Sequence, residues 1–404
     1  MDPGEDHEMV DQGQSVASDD TDALVRMVTA AVRVPPGDVL VLLDLMCGLL
    51  GARAARFHVA DYSLRHLQQI VPSGSVGPPQ SIAGTFVGRA FASNEILTSG
   101  TDPTTVSVPL VEGTNRIGVL ELDYDVWDGV APKHFDLIIA TFATTWVLKS
   151  RYSDVPQRAR RWEPLSMAAE VQWDLLPPLS CSTDQVAVSG ILEPAYDIGG
   201  DSFDYAIDTR RLDFTIVDAI GHGLPAVLMS AAAINSLRNS RRAELGGGDA
   251  YESADRSIAT QFGHSYSVTG IIASLDLRSG TLTWVNAGHC LPMLVRNGTY
   301  AGTLDCKPSL PIGLGGPVVE VAETVLQRGD RVLFYTDGIT ESRSADGSFF
   351  GDDRLADFFV RASLEQLPVQ ETVRHISESV IEFNHMQLRD DATMFLLEWR
   401  GAHH

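Results

Sequence analysis

The stretch LDFTIVDAIGHG, residues 212–223, decides how the second half of this chain is interpreted. Its apolar residues alternate with residues of the opposite face, which is the pattern of a β-strand with one buried face. That strand delivers Asp218 directly into the glycine turn Gly221-His222-Gly223. A strand end is a rigid mount, and a neighbouring glycine lets a metal ion or a phosphate approach the backbone. The stretch therefore predicts a carboxylate presented to a hard divalent cation.

Three further places repeat this arrangement of an acidic residue, a glycine or turn, and an apolar strand. They are Asp201, after Gly199-Gly200 and ahead of a strand at 203–207; Asp337, in Thr336-Asp337-Gly338 after a strand at 332–335; and Asp390, which with Asp391 precedes a strand at 394–399. A single aspartate beside glycine is usually a turn former or a helix cap. Four in order along the chain indicate a shared site.

In this order the motifs resemble the SpoIIE/RsbU branch of the bacterial type 2C (PPM) serine/threonine protein phosphatases. The pattern of that branch runs GGD, D-x-x-GHG, NAGH, TDG and DD before the last strand, and here NAGH is residues 286–289. NAGH follows a predicted hairpin with a Ser279-Gly280 turn. The resemblance covers roughly residues 180–400 and implies a PPM-type αββα β-sandwich.

The resemblance also implies a ligand set for two Mn²⁺ or Mg²⁺ ions. Asp218 would bridge the ions, with the backbone carbonyl of Ala219 as a further ligand. Asp337 and Asp390 would bind one ion, and Asp201 would hold the site directly or through water. Two divalent cations that share a carboxylate can lower the pKa of a bridging water and neutralise a phosphate, so a direct attack would need no phosphoenzyme.

Some positions depart from the pattern of the wider superfamily. Ala219 stands where glycine is frequent, which a carbonyl ligand tolerates, and Ile220 stands where a proposed proton-donor histidine is found. We therefore interpret His222 as a residue that stabilises the turn rather than as a general acid. Asp391 is expected to orient the ligands from behind, and Asp204 is interpreted as structural.

The first half of the chain has a different organisation. Residues 1–22 are polar and acidic and predict a mobile tail. A helical pattern from Ala23 stops at Pro35-Pro36, and a second helix is predicted from Val39 to Leu50. The segments VSVPLV and RIGVLELDY predict a hairpin with a turn at residues 112–115, and a helix from Lys133 to Leu148 follows.

This order, with GTFVGRAFASNEIL ahead of the hairpin, resembles a GAF domain over roughly residues 24–150. Such a domain uses an antiparallel sheet flanked by helices to hold a small ligand or to dimerise. An unrelated α+β module such as PAS is the alternative. A helix from Arg158 to Leu176 is predicted next, either as a signalling helix or as a simple linker packed on the following domain.

The chain is thus predicted to be an α+β protein with four parts. These are an acidic tail at 1–22, a GAF-like sensor domain at 23–150, a linker helix at 151–180 and a PPM-type phosphatase domain at 181–404. A composition of 44% hydrophobic and 21% charged residues is that of an ordinary globular protein. The formal net charge of −23 argues against nucleic acid or an anionic membrane as partner. We expect a cytoplasmic protein, because no apolar run is long enough to cross a bilayer.

Other catalytic signatures do not compete, because the sequence contains no GxxxxGK[ST], GxSxG or HExxH motif. The working hypothesis is a phosphatase controlled by its sensor domain. The resemblance implies a phosphoserine or phosphothreonine substrate on an anti-sigma-factor antagonist, a small regulatory protein. The linker helix could pair two subunits in a homodimer, and the sensor domain could bind a small molecule. The alternative is a catalytically silent phosphatase fold that serves as a binding scaffold.

Overall fold

The computed structural model of the protein describes residues 22–71, 75–100, 102–197, 199–385, 388 and 390–402. The predicted acidic tail, apart from Asp22, lies outside the described residues. The chain divides into two compact units, Met1–Trp162 and Glu163–His404. Within the described ranges, no helix combines the length and the apolar character needed to cross a bilayer.

The first unit is built on a six-stranded antiparallel sheet with the strand order β3-β2-β1-β6-β5-β4. Its strands are β1 (Ala54–Ala60), β2 (His66–Ile70), β3 (Val76–Ser81), β4 (Leu97–Thr98), β5 (Thr104–Glu112) and β6 (Asn115–Tyr124). Its helices are α1 (22–33), α2 (Leu42–Leu50), α3 (Phe86–Ser93), α4 (Phe135–Ser150) and α5 (Val155–Ala159), with a 3-10 helix at Pro36–Val41.

Both faces of this sheet are covered. One face packs Phe57 against Phe142 and Trp146 of α4, and the other packs Leu67 and Val119 against α3. The predicted hairpin is confirmed as β5–β6, and the predicted stop of the first helix ahead of the two prolines is confirmed. The predicted helix at 39–50 begins as the 3-10 helix and becomes α-helical at α2. The unit is α+β, and its GAF-like character stays a prediction.

The second unit contains two antiparallel sheets. Its strands are β7 (Ser180–Ser182), β8 (Val186–Glu193), β9 (Ser202–Ile207), β10 (Arg211–Ala219), β11 (Val268–Asp276), β12 (Thr281–Ala287), β13 (Met293–Arg296), β14 (Thr299–Thr303), β15 (Ala322–Val325), β16 (Arg331–Tyr335) and β17 (Ala392–Trp399). Its helices are α6 (Met167–Leu175), α7 (Leu224–Arg242), α8 (Gly247–Phe262), α9 (Asp337–Thr340), α10 (Asp352–Leu364) and α11 (Val369–Phe383).

Three of the apolar cores in this unit set its layer order. The sheets β15-β12-β11-β10-β9 and β14-β13-β16-β17-β8-β7 enclose a core that includes Phe203, Phe334 and Phe395. A second core lies between the first sheet and α7 and α8, and a third lies between the second sheet and α10 and α11. The order of layers is therefore helices, sheet, sheet, helices, as predicted for an αββα sandwich.

The predicted single helix from Arg158 to Leu176 is wrong. The chain forms the short helix α5, then a non-helical stretch at 160–166, then α6. Pro164 disfavours a helical conformation at the residue before it. Ser166 then caps α6, because its hydroxyl accepts from the Ala169 N–H at 3.1 Å. Helix α5 belongs to the first unit and α6 to the second, so the two parts of the predicted linker have different packing partners.

Candidate metal centre

The first sheet brings Asp201 and Asp218 side by side. Asp201 immediately precedes β9, and Asp218 is the second-last residue of β10. The strands are antiparallel, with Ser202 opposite Val217, and the Ala219 N–H donates to the Gly200 carbonyl at 3.3 Å. The strand predictions around both aspartates are therefore confirmed.

The second sheet places the segments that carry Asp337 and Asp390 next to each other. Strand β16 ends one residue before Thr336, and Asp390 and Asp391 directly precede β17. These strands are antiparallel neighbours, and the Thr336 N–H donates to the Thr393 carbonyl at 3.0 Å. Asp337 thus leaves the sheet beside the aspartate pair.

Hydrogen bonds join the two sheets at this edge. The Asp391 carboxylate accepts from the Gly199 N–H at 2.7 Å and from the Asp201 N–H at 3.1 Å. In return, the Thr336 hydroxyl donates to Asp201 Oδ2 at 2.6 Å. Asp391 therefore holds the Gly-Gly-Asp loop by its backbone, and its role in orienting metal ligands stays a prediction.

The carboxylates of this edge destabilise one another when ionised. Burial, followed by the charges of Asp337, Asp390 and Asp391, raises the pKa of Asp218 to about 7. Burial is the largest cause of the higher pKa of Asp201 as well, with Asp218 and Asp391 next. Burial and then the charges of Glu341 and Asp390 raise the pKa of Asp337. A cation bound among neighbouring carboxylates that raise each other's pKa would stabilise their ionised forms.

The donor set fits a hard divalent cation in charge and in chemistry, since such ions prefer carboxylate and carbonyl oxygens. Asp201 and Asp391 are buried, Asp218 is half-buried, and Asp337 and Asp390 are exposed. Among the described residues, no three His, Cys, Asp or Glu side chains are already close enough together to hold an ion.

Glycines at two of the motifs allow a close approach of backbones. A Cβ added to Gly200 would collide with the carbonyl oxygen of Ala219, and one added to Gly338 would collide with the carbonyl oxygen of Asp391. The second glycine of GGD thus lies against the Ala219 carbonyl, which is predicted to be a ligand. The glycine of TDG lies against Asp391 of the aspartate pair. Both contacts require glycine for steric reasons rather than for a left-handed backbone.

The remaining predicted residues have separate places. Asp204 is buried and forms ion pairs with Arg238 at 2.7 Å and Arg241 at 2.8 Å, so its structural interpretation is supported. His222 is exposed. His289 lies within hydrogen-bonding distance of the Thr269 hydroxyl, 3.1 Å from His289 Nδ1, and burial lowers its pKa to about 4.

Two residues that contact Asp201 were not given a role from the sequence. Thr336 was visible as the first residue of TDG, but a threonine beside an aspartate has no specific meaning by itself. Gln172 donates from its side-chain amide to the Asp201 carbonyl at 2.9 Å. It lies in α6, 29 positions before Asp201, and only the folded chain brings it to the site.

The comparison with family models finds a match inside the second unit. Residues 208–400 match the family described as Stage II sporulation protein E (SpoIIE). Phosphoserine phosphatase RsbU of Bacillus subtilis (strain 168) is 23% identical over 248 residues, which cover 58% of this chain and 69% of RsbU. Phosphoserine phosphatase RsbP of the same organism is 25% identical over 39% of this chain and 40% of RsbP.

Among solved structures, the SiaA-PP2C domain of Pseudomonas aeruginosa has a TM-score of 0.49 and 20% identity, covering 57% of this chain and 94% of that domain. The family match includes Asp218, Asp337 and Asp390 and begins after Asp201. This chain spans less than half of the length of RsbP.

Proposed function

From the match of residues 208–400 to the SpoIIE family and the similarity to RsbU, we propose that this chain is a metal-dependent protein-serine/threonine phosphatase of the PPM type. One observation carries the proposal. Asp218 lies where two sheets meet, and burial, followed by the charges of Asp337, Asp390 and Asp391, raises its pKa. A site built from mutually repelling carboxylates is suited to divalent cations and, through them, to a phosphate.

The metal ligands that we propose are the residues that the sequence resemblance implies. Asp218 would bridge two ions with the Ala219 carbonyl beside it, Asp337 and Asp390 would bind one ion, and Asp201 would hold the site directly or through water. When bound, a pair of Mn²⁺ or Mg²⁺ ions supplies positive charge to the phosphate and lowers the pKa of the attacking water.

The residues of the chain itself provide orientation. Thr336 fixes Asp201 Oδ2 with a 2.6 Å hydrogen bond, so that carboxylate has one defined rotamer. Asp391 fixes the backbone of the same loop through the N–H groups of Gly199 and Asp201. Outer residues of this kind keep ligands in place and tune their affinity for an ion.

The substrate we propose is a phosphoserine or phosphothreonine on a regulatory protein, in the manner of an anti-sigma-factor antagonist. RsbU and RsbP, both phosphoserine phosphatases by name, support the phosphoserine part of this proposal. We further propose that the first unit is a GAF-like sensor that adjusts the activity of the second. A small-molecule ligand of that unit and a homodimer are part of the same proposal.

A second candidate, the silent scaffold, is favoured by one observation. Among the described side chains, no group of three potential ligands is already arranged around an ion site. A scaffold of this fold would bind a signalling partner without turnover. The two candidates differ in whether the full chain binds Mn²⁺ and hydrolyses a phosphoester.

The test is hydrolysis of p-nitrophenyl phosphate and of a phosphoserine peptide by the full chain, with Mn²⁺ or with EDTA. We expect Mn²⁺-dependent turnover that Asp218→Ala abolishes while the protein stays folded. Asp213→Ala is the matched control, because Asp213 lies on the same strand and pairs with Arg211 at 2.9 Å instead. Active Asp218→Ala protein would refute the site. A full chain and a fragment 163–404 that both lack turnover would favour the scaffold.

A further inference from the structure

Helix α6 reaches the candidate metal centre through one buried side chain. Gln172 is 0% exposed, and its Nε2 donates to the backbone carbonyl of Asp201 at 2.9 Å. We infer that Gln172 is a positioning residue for the metal centre and that α6 is the element through which that position can be changed. The inference rests on the proposed function, because it assigns a role towards the same ions.

Asp201 is held at three different atoms by three different parts of the fold. Thr336 binds its side chain, Asp391 binds its N–H, and Gln172 binds its carbonyl. The first two lie at the ends of β16 and β17, which belong to the sandwich itself. Gln172 alone of these three comes from outside the two sheets, so its contact depends on how α6 is seated.

The amide of Gln172 is an unusual choice for an interior position. In the part of the chain that the structure describes, its Oε1 is buried and has no hydrogen-bond partner. A buried polar atom without a partner costs stability, whereas an apolar side chain of the same shape would avoid that cost. The bond from Nε2 to Asp201 is what this position gains in return, which indicates a role in the site rather than in packing.

Helix α6 is also hydrogen-bonded to α7, the helix that follows Asp218 in the chain. Arg238 of α7 donates to the Leu175 carbonyl at the end of α6, at 2.8 Å. The same guanidinium forms the ion pair with Asp204 at 2.7 Å. Helix α7 begins at Leu224, directly after the turn that follows Asp218. A displacement of α6 would therefore act on Asp201 through Gln172 and on α7 through Arg238.

The position of α6 in the chain gives this connection its meaning. It is the first helix after the boundary at Trp162/Glu163. Its start is held by the Ser166 N–H, which donates to the Tyr196 carbonyl at 2.9 Å, and its last turn is held by the indole of Trp173, which donates to the Ala195 carbonyl at 2.8 Å. Any signal that travels along the chain from the first unit meets α6 before it meets a strand of the sandwich.

The test compares Gln172→Met with Gln185→Met in the full chain. Methionine keeps the length of glutamine and removes the donor. Gln185 is the matched control, since its Nε2 also donates to a backbone carbonyl, that of Leu277 at 2.8 Å, in the same unit. Mn²⁺ affinity is measured by calorimetry and by the Mn²⁺-induced rise in Tm, neither of which requires turnover. Phosphatase assays then separate the half-activating Mn²⁺ concentration from kcat.

We expect Gln172→Met to weaken Mn²⁺ binding roughly tenfold, as is typical for residues that orient a metal ligand. Its kcat should return towards the wild-type value at saturating Mn²⁺, and Gln185→Met should keep wild-type Mn²⁺ affinity. Unchanged Mn²⁺ affinity in Gln172→Met would overturn the inference. If that variant fails to fold, Gln172→Asn, whose amide is too short to reach Asp201, is judged by the same criterion. A wild-type chain that binds no Mn²⁺ would instead overturn the proposed function.

Discussion

The hydroxyl of Thr336 donates to Asp201 Oδ2 at 2.6 Å, although the two residues are 135 positions apart in the chain. The Thr336 hydroxyl oxygen also accepts a hydrogen bond from the Thr393 N–H at 3.0 Å. Since the N–H occupies a lone pair, the hydroxyl hydrogen is directed to the carboxylate. One buried side chain thereby connects the start of β9, the end of β16 and the second residue of β17.

Replacing Thr336 by valine should loosen Asp201 without leaving a cavity. The shape of the side chain is kept, and the donor to Asp201 and the acceptor for the Thr393 N–H are both lost. We expect Mn²⁺ affinity to fall roughly tenfold, with a loss of about 1–3 kcal/mol in the free energy of unfolding. Titration calorimetry with Mn²⁺ and chemical denaturation measure the two effects.

Thr215→Val provides the control for this substitution. Thr215 is also buried, and its hydroxyl donates to the Ile271 carbonyl at 2.8 Å within the first sheet. It should lose comparable stability and keep its Mn²⁺ affinity. Equal Mn²⁺ affinity in both variants would mean that Thr336 has no part in organising the ligands.

The raised pKa of Asp218 predicts how stability depends on pH in the presence of EDTA. Its pKa is about 7 in the folded protein and 3.8 ordinarily, so the folded state binds this proton more tightly than the unfolded state. Stability should therefore fall as pH rises from about 4 to about 7 and then level off. A shift of this size corresponds to at most about 4 kcal/mol. Asp391, with its pKa raised to about 6 chiefly by burial, acts in the same direction.

Asp218→Asn separates this contribution from the rest of the titration. The amide has no proton to lose, so the unfolding free energy of the variant should fall less between pH 4 and pH 7 than that of the wild type. Thermal unfolding in EDTA across this range measures the difference. Mn²⁺ should stabilise the wild type more at pH 7.5 than at pH 5, because protons compete for the same carboxylates. Parallel curves for the two proteins would show that Asp218 ionises normally.

Gly200→Ala should disrupt the centre by steric collision alone. The new Cβ would be forced against the Ala219 carbonyl oxygen, so β9 and β10 would have to separate where the ligands are mounted. We expect phosphatase activity to be lost and stability to fall by roughly 1–3 kcal/mol. Gly246→Ala is the control, since nothing lies within 4 Å of an added Cβ there. An active, stable Gly200→Ala protein would contradict the close approach of these backbones.

The local patterns around the aspartates predicted their surroundings well, because each strand carries its own signal. Period-two alternation predicted the strand that delivers Asp218. The layer order of the second unit followed from a resemblance and was matched by the three cores. The roles of Asp201, Asp218, Asp337 and Asp390 as ligands stay predictions.

What the sequence could not predict depends on contacts between distant segments. No periodicity marks Gln172 as a neighbour of Asp201, because the contact depends on how α6 is seated on the sandwich. The prediction of a single helix over residues 158–176 was wrong because the apolar spacing was given more weight than two local signals that interrupt a helix. Pro164 and the cap at Ser166 both interrupt that helix, and an apolar face can continue across such a break.

Removal of residues 1–162 tests whether the first unit regulates the second. The fragment 163–404 retains α6, both sheets and the three cores of the second unit, so we expect it to fold and to bind Mn²⁺. If the first unit acts through α6, turnover of p-nitrophenyl phosphate should differ from that of the full chain by roughly fivefold or more, the usual size of coupling between sites. Assays of the fragment and the full chain at the same subsaturating Mn²⁺ concentration, with light scattering to give the oligomeric state, measure both properties. The full chain carrying Gln172→Met is the comparison for this fragment, because it keeps the first unit but lacks the hydrogen bond from α6 to Asp201. A fragment with the same turnover and the same oligomeric state as the full chain would rule out regulation by the first unit.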